Sequence, residues 1–317
     1  MSTSLSLLMV FFLAGYVAPL VLGRARWPYR SPRLGVAAWL TVAGMSALTA
    51  VFAVGTVAIP VAVAGHGLAD WWHACVGEWR HYYGDASIIV IAAAAAITVI
   101  MLGRLLHSSV SYRRSVVGIR RAQQAGLSLL GFEGSRNVVV LPHPVPAAYC
   151  VPGRPGHVVM TDSAMRALEP DQVDAVVAHE RAHLAGRHSM LVGVATVLQG
   201  AFGRIAPVFR RATRESAALV EMIADDAAVA MCPAPRVAEA LLRLAGGPAS
   251  RATLAAGGSD TVRRIRRLST PPRPLGPVPR LATLVALCLG LMAPVATVVG
   301  LVAAEVVAST CAHPRGG

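Results

Sequence analysis

Four uninterrupted apolar segments constrain this chain more than any other feature. They cover residues 4–23, 35–65, 86–103 and 281–304, and none contains Asp, Glu, Arg, Lys or His. Each is long enough to cross the hydrocarbon core of a bilayer, whereas a buried helix of a soluble protein is usually shorter and carries polar residues on one face. We therefore predict a multi-pass α-helical membrane protein with four transmembrane helices.

The distribution of charge predicts how these helices are oriented. Residues 24–34 carry four arginines and no acid, and residues 104–280 carry 23 arginines against 12 acids, while residues 66–85 carry one arginine and three acids. Four spans place both positive segments on one face, which the positive-inside rule makes cytoplasmic. We therefore predict a membrane region over residues 1–103, a cytoplasmic domain over 104–280, and an extracytoplasmic N-terminus and C-terminal tail (305–317) in the cell membrane.

The net charge of +13 is thus explained by topology, and we predict no direct nucleic acid binding. Arg263, Arg264, Arg266 and Arg267 precede the fourth span without interleaved aromatic residues. A juxtamembrane stretch that faces anionic lipid is the preferred interpretation, and an RNA or DNA patch is the alternative.

Two cysteines fall on the outer side in this topology, where disulfides persist. They are Cys75 and Cys311. A bridge between them and two unrelated free thiols are both compatible with the sequence.

The 104–280 domain contains a metal-binding motif on a predicted helix. Three short strands, Asn137–Leu141, Ala147–Val151 and His157–Thr161, precede a helix that begins at Pro170 and contains His179-Glu180-Arg181-Ala182-His183. Histidines at i and i+4 project from one helical face and can share one Zn²⁺. The glutamate between them is placed to act as a general base and then to protonate a leaving amine.

A catalytic zinc needs a third protein ligand, and three residues are candidates. Glu221 is preferred because Asp225 lies one turn further on the same face of an apolar helix, where it can accept a hydrogen bond from a ligand histidine. His188 stands one residue away from the position that the longer H-E-x-x-H-x-x-G-x-x-H pattern requires. Glu215 is a further candidate.

These residues resemble those of a known class of membrane enzymes. The segments that carry the resemblance are Ala147–Gly153, His157–Thr161, Ala175–His183, Arg187-His188 and Glu221–Asp225. They are similar to the integral-membrane zinc peptidases of the BlaR/MecR type and to the related Ste24/HtpX-type membrane peptidases.

The resemblance implies an α+β zincin-like (gluzincin) domain with one Zn²⁺ per chain, held by His179, His183 and Glu221, and with Glu180 as the catalytic base. It also implies that an extended substrate pairs with an edge strand of the small sheet. Antibiotic-sensing members carry a C-terminal penicillin-binding sensor domain, which we do not expect here because the sequence ends shortly after the fourth span.

We therefore expect a membrane-embedded zinc endopeptidase that cleaves a cytoplasmic protein in signal transduction, such as a DNA-binding repressor. A quality-control protease of the HtpX type is the enzymatic alternative, and a non-catalytic signal transducer with a structural zinc is the other. A transporter is disfavoured because the spans lack ionisable residues. The expected partners are the lipid bilayer and a protein substrate, and a homo-oligomer is compatible with the sequence.

Overall fold

The computed structural model describes residues 2–58, 87–130, 132–133, 138–153, 156–245, 260–270 and 272–312. The predicted outer loop and Cys75 lie outside these residues, as do the last five residues of the tail. The proposed Cys75–Cys311 bridge therefore stays a prediction.

Four helices in the described part of the chain are long and apolar enough to cross a membrane, as predicted. The first begins as α1 (Ser2–Phe12) and continues through a π-helical segment (Leu13–Val17) into α2 (Ala18–Arg24). The short helix α3 (Trp27–Arg30) follows. The other three long helices are α4 (Pro32–Ala58), α5 (Ser87–Leu130) and α12 (Pro277–Ala312).

The third and fourth long helices extend beyond their predicted bounds. The sequence predicts an end at residue 103, but α5 continues without a break to Leu130. No proline lies between residues 104 and 130, so the helix continues where the apolar composition stops. Likewise, α12 begins at Pro277 and continues to Ala312, past the predicted end at residue 304.

Helix α8 (His188–Phe202) is apolar but too short to cross a membrane, and it packs along α5. Gly193 allows the close approach, because a Cβ there would clash with the hydroxyl of Tyr112. The Nε of Arg104 donates to the carbonyl of Ala201 at 2.9 Å, which satisfies one of the last acceptors of α8.

Helix α9 (Pro207–Val229) contacts α4, a long helix, as well as α8. The shared core contains large buried side chains from three helices: Trp39, Phe202, Phe209, Leu219 and Met222. A Cβ added to Gly35 would lie 2.9 Å from Leu219 Cδ1, so the start of α4 is packed closely against α9.

A four-stranded sheet in the order β1-β2-β4-β3 lies beside these helices. Its strands are β1 (Phe132–Glu133), β2 (Val138–Leu141), β3 (Ala148–Val151) and β4 (His157–Thr161). β2 and β4 are parallel, and the other pairs are antiparallel. The three predicted strands are confirmed, and β1 adds to the prediction.

Helix α7 (Pro170–Ala185) begins at Pro170, as the sequence predicts. Glu169 and Gln172 form a capping box at this start. It ends at Ala185 with Gly186 as its C-cap, and Arg187 then adopts a left-handed conformation with φ 48°. This two-residue turn leads directly into α8. The remaining helices are α6 (Asp162–Ala167), α10 (Ala234–Ala245) and α11 (260–269).

Candidate metal centre

Helix α7 presents two histidines toward α9. The Nε2 atoms of His179 and His183 lie 3.2 Å apart, as the i, i+4 spacing predicts. Glu221 on α9 meets them, with Oε2 3.5 Å from Nε2 of His179 and Oε1 3.5 Å from Nε2 of His183. The structure thus brings together the three residues that the sequence analysis named as ligands.

The spacing of these donor atoms fits a zinc ion. A tetrahedral Zn²⁺ with bonds of about 2.0–2.1 Å holds its ligand atoms roughly 3.4 Å apart. The observed separations are 3.2 and 3.5 Å, and all three donor atoms lie within 4.8 Å of one another. Two imidazole nitrogens and one carboxylate oxygen are also a donor set that zinc prefers, and an imidazole is neutral when it binds the ion.

Asp225 holds the ring of His179 from behind. Its Oδ1 lies 3.2 Å from Nδ1 of His179, and its side chain is only 1% exposed. Because Nδ1 is occupied by the carboxylate, Nε2 is the nitrogen left for a metal. The predicted neighbour of the ligand histidine is therefore in contact with it.

His188 contacts the second histidine instead of joining the donor cluster. The two Nδ1 atoms of His188 and His183 are 3.0 Å apart, and His188 is buried. The left-handed turn at Arg187 allows α8 to start close enough for this contact. His188, which the sequence analysis kept as an alternative ligand, is thus a hydrogen-bond partner of His183.

Arg264 on α11 is a residue of the site that sequence reasoning missed. Its guanidinium donates to both oxygens of Asp225, at 2.8 and 2.6 Å, and lies 3.0 Å from Oε2 of Glu221. One cation therefore neutralises the buried carboxylate of Asp225, which would be costly to bury unpaired, and also pairs with the partly exposed carboxylate of Glu221.

Two neighbouring arginines are also paired with acids, contrary to the expectation that this stretch faces lipid. Arg267 binds Asp226 at 2.6 and 3.1 Å, and Arg263 contacts Glu215, Asp260 and the hydroxyl of Tyr29. Asp226 and Glu215 of α9, far away in sequence, supply two of these partners, and Asp260 lies three residues before Arg263 on α11.

Glu215, the further candidate ligand, is not at the metal centre. Its carboxylate accepts a hydrogen bond from Tyr29 at 2.9 Å and pairs with Arg263. Six residues of α9, about 1.7 turns, separate it from Glu221, which faces the histidines.

Glu180 lies beside a small cavity next to this cluster. The cavity has a volume of about 190 Å³, and Glu180, Glu221 and Arg264 contribute polar atoms to its wall. Its apolar wall includes Val237, Leu241 and Leu244 of α10. These three side chains recur at helical spacing and border the space in front of the candidate base.

Burial raises the pKa of Glu180, which brings this carboxylate closer to the range in which a general base works. Burial also raises the pKa of the Cys150 thiol, to about 12, together with the negative charge of Glu180 and a hydrogen bond to it. Cys150 on β3 is thus a neutral neighbour of the candidate base.

The two histidines differ in protonation. Burial lowers the pKa of His183 to about 4, so its ring is neutral at pH 7, as a ligand must be. Burial also disfavours protonation of His179, but hydrogen bonds to Asp225 and Glu221 outweigh it and raise the pKa to about 9. Burial opposes ionisation of Glu221, yet the His179 hydrogen bond and the charge of Arg264 lower its pKa.

The free edge of β3 borders the same cavity. Thr161 donates its N–H to the carbonyl of Ala147, and Tyr149 pairs with Val159 in the same antiparallel register. Because hydrogen-bonded pairs alternate along such a ladder, the backbone groups of Ala148 and Cys150 point to the outer edge. An extended peptide could pair there, close to Glu180.

Comparison with known proteins gives a family for this region. The sequence model of Peptidase family M48 matches residues 117–232. A "Protease HtpX homolog" of Gemmatimonas aurantiaca is 28% identical over 127 residues, which are 39% of this chain and 40% of that protein. A "Protease HtpX homolog" of Pyrococcus furiosus is 33% identical over 82 residues, which are 25% and 26% of the two chains.

The chain therefore spans less than half the length of the curated relatives that it matches. No solved structure matches it significantly. The matched region contains the sheet and all three residues of the donor cluster. These matches show that residues 117–232 are similar to Peptidase family M48 and to parts of HtpX homologues.

Proposed function

We propose that this protein is a membrane-anchored zinc endopeptidase in which His179, His183 and Glu221 bind the ion and Glu180 is the general base. One observation carries the proposal: three metal-donor atoms lie within 4.8 Å of one another, beside a glutamate in the cavity wall and the open edge of a strand. A purely structural zinc site would need neither the glutamate nor the free edge.

Different residues of the chain carry out the separate steps of peptide hydrolysis. A bound Zn²⁺ would polarise the scissile carbonyl and lower the pKa of a nearby water molecule. The edge of β3 aligns the substrate backbone, and the cavity lined by Leu241 and Leu244 accepts an apolar side chain next to the scissile bond. Glu180 takes the proton from the attacking water and gives it to the leaving nitrogen.

The test compares Glu180→Gln with wild type as full chains in detergent, using fluorescently labelled casein as substrate. We expect one zinc per chain in both proteins and a loss of cleavage of about 10²–10⁴-fold in the variant, the usual contribution of a general base. Asp174→Asn is the matched control, because it makes the same acid-to-amide change at an exposed position of α7. Equal cleavage by wild type and Glu180→Gln would refute the mechanism.

The proposed orientation places this site in the cytoplasm, following the positive-inside rule. It is supported by the arginines near the ends of the spans, such as Arg104 and Arg280. Cysteine-accessibility labelling at positions 107 and 313 in intact cells tests it. Labelling of position 107 by an impermeant reagent would contradict the orientation.

The similarity to HtpX homologues favours a quality-control protease that acts on many membrane proteins, and the BlaR/MecR resemblance favours a single repressor-type substrate. The two proposals differ in the cleavages lost in cells that carry Glu180→Gln. Lost protein N-termini scattered over membrane proteins support quality control, and one lost cleavage in a DNA-binding protein supports signalling. No lost cleavage under any stress would instead favour a non-catalytic transducer.

A further inference from the structure

A large cavity opens where the helices α4 and α12 begin. Its volume is about 1430 Å³, far larger than the cavity beside Glu180. Its walls are formed by the first turns of α4 and α12, the end of α7, and α9. Apolar side chains line it, among them Leu34, Leu40 and Leu284. Three exposed arginines near the starts of these helices also line it, and we call them its rim: Arg30, Arg33 and Arg280.

The rim lies at the depth of lipid headgroups. A Cβ on Gly44 would be 3.8 Å from Leu291 Cδ1, so α4 and α12 meet close to the middle of both apolar spans. Arg33 and Arg280 each precede this contact by eleven residues. At about 1.5 Å per residue, both arginines lie about 16 Å from the middle, which is half of a hydrocarbon core about 30 Å thick.

The rim is positively charged and short of acids. Arg30, Arg33 and Arg280 are exposed, and within the described residues no carboxylate pairs with any of them. Asp226 also lines the cavity, but Arg267 holds both of its oxygens. Both α4 and α12 begin here without an acid in the first turn, so their positive ends add to the attraction for an anion.

We propose that this cavity, the α4/α12 groove, binds one anionic glycerophospholipid. The phosphate lies among Arg33 and Arg280, and the acyl chains follow Leu40 and Leu284 toward the bilayer. A basic pocket between spans, with apolar walls below it at headgroup depth, fits this ligand in both charge and shape. A soluble peptide would not need the apolar walls to continue below the level of the headgroups.

The groove also lies behind the candidate metal centre. His188 and Ile223 both line it; His188 contacts His183, and Ile223 lies two residues after Glu221 on α9. A lipid in the groove therefore packs against the helices that carry the donor cluster. Binding should raise the thermal stability of the full chain, whether or not the protein is a peptidase, because the ligand binds the folded state.

The test uses the full chain, stripped of lipid in detergent and titrated with dioleoyl phosphatidylglycerol. Affinity is read from the rise in melting temperature and from retained lipid in native mass spectrometry. Each basic residue near an anionic lipid contributes about fivefold to affinity, so Arg33→Gln with Arg280→Gln should weaken binding about 30-fold. The pair Arg33→Lys with Arg280→Lys keeps the charge and should retain binding.

The matched control is Arg24→Gln with Arg26→Gln, which makes the same charge change at exposed positions outside the groove and should leave the affinity within about threefold. The proposal is overturned if zwitterionic phosphatidylcholine binds wild type equally well, if the groove pair keeps its affinity, or if the control pair loses as much. Competition by glycerol phosphate at equal concentration would also overturn it, since a soluble phosphate would then suffice.

A photoactivatable phosphatidylglycerol provides a second measurement on the wild-type chain, in case the glutamine pair fails to fold. We expect cross-links to peptides from the first turns of α4 and α12. Cross-links confined to the outer surfaces of α1 and α5 would overturn the proposal.

Discussion

Replacing Arg264 with methionine should destabilise the protein by about 3 kcal/mol. Arg264 binds both oxygens of Asp225, whose side chain is 1% exposed, and also contacts Glu221. Breaking a buried ion pair by removing one partner costs about 3–5 kcal/mol, because a charge is left buried without compensation. His179 still contacts Asp225 at 3.2 Å in the variant, so the lower end of that range applies.

The assay is thermal unfolding of the full chain in detergent, followed by circular dichroism. For a chain of this size, about 3 kcal/mol corresponds to a fall in melting temperature of roughly 4–5 °C. Arg267→Met is the matched control. Arg267 is as buried as Arg264 and binds Asp226 on the same helix, but that carboxylate is 52% exposed, so the loss should stay below about 1 kcal/mol.

Two results would refute this reasoning. Equal shifts for Arg264→Met and Arg267→Met would show that burial of the carboxylate does not decide the cost. The double variant Arg264→Met with Asp225→Asn should recover much of the stability, because an amide carries no charge to neutralise. If the double variant is less stable than Arg264→Met alone, an uncompensated charge on Asp225 is not the cause.

Three further predictions follow from the packing around the metal centre. His188→Ala should weaken zinc binding about 10–100-fold, measured in competition with a chelator. His188→Asp keeps an acceptor for His183 and should lose less zinc affinity. Unchanged zinc affinity in both variants would contradict a role for the His188–His183 contact. Gly35→Ala should lower the melting temperature, because the added Cβ would lie 2.9 Å from Leu219. Gly44→Ala should leave the melting temperature unchanged or raise it, because the Cβ added there has only a 3.8 Å contact. The reverse order of the two melting temperatures would contradict the packing of α9 on α4. Removing zinc by dialysis against a chelator should lower the melting temperature of wild type by more than that of His183→Ala, and equal shifts would mean that the ion binds elsewhere.

Local patterns in the sequence predicted much of this protein. The four spans follow from composition alone, because lipid imposes a length and a polarity on each segment. His179 and His183 share a face because helical spacing alone fixes their relation. Glu221 and Asp225 were recognised as a pair by the same rule, and the three predicted strands follow from their β-branched residues and the prolines around them.

The tertiary structure decided which distant residues meet. No spacing rule relates Arg264 to Asp225, which lie 39 positions apart, so the sequence placed this arginine at a lipid surface. A left-handed turn at Arg187 turned a candidate ligand, His188, into a partner of His183. Periodicity and composition predict the secondary structure of a segment and whether it faces water, lipid or the protein core. Contacts between segments depend in addition on how the helices cross and on which side chains then compete for the same buried space.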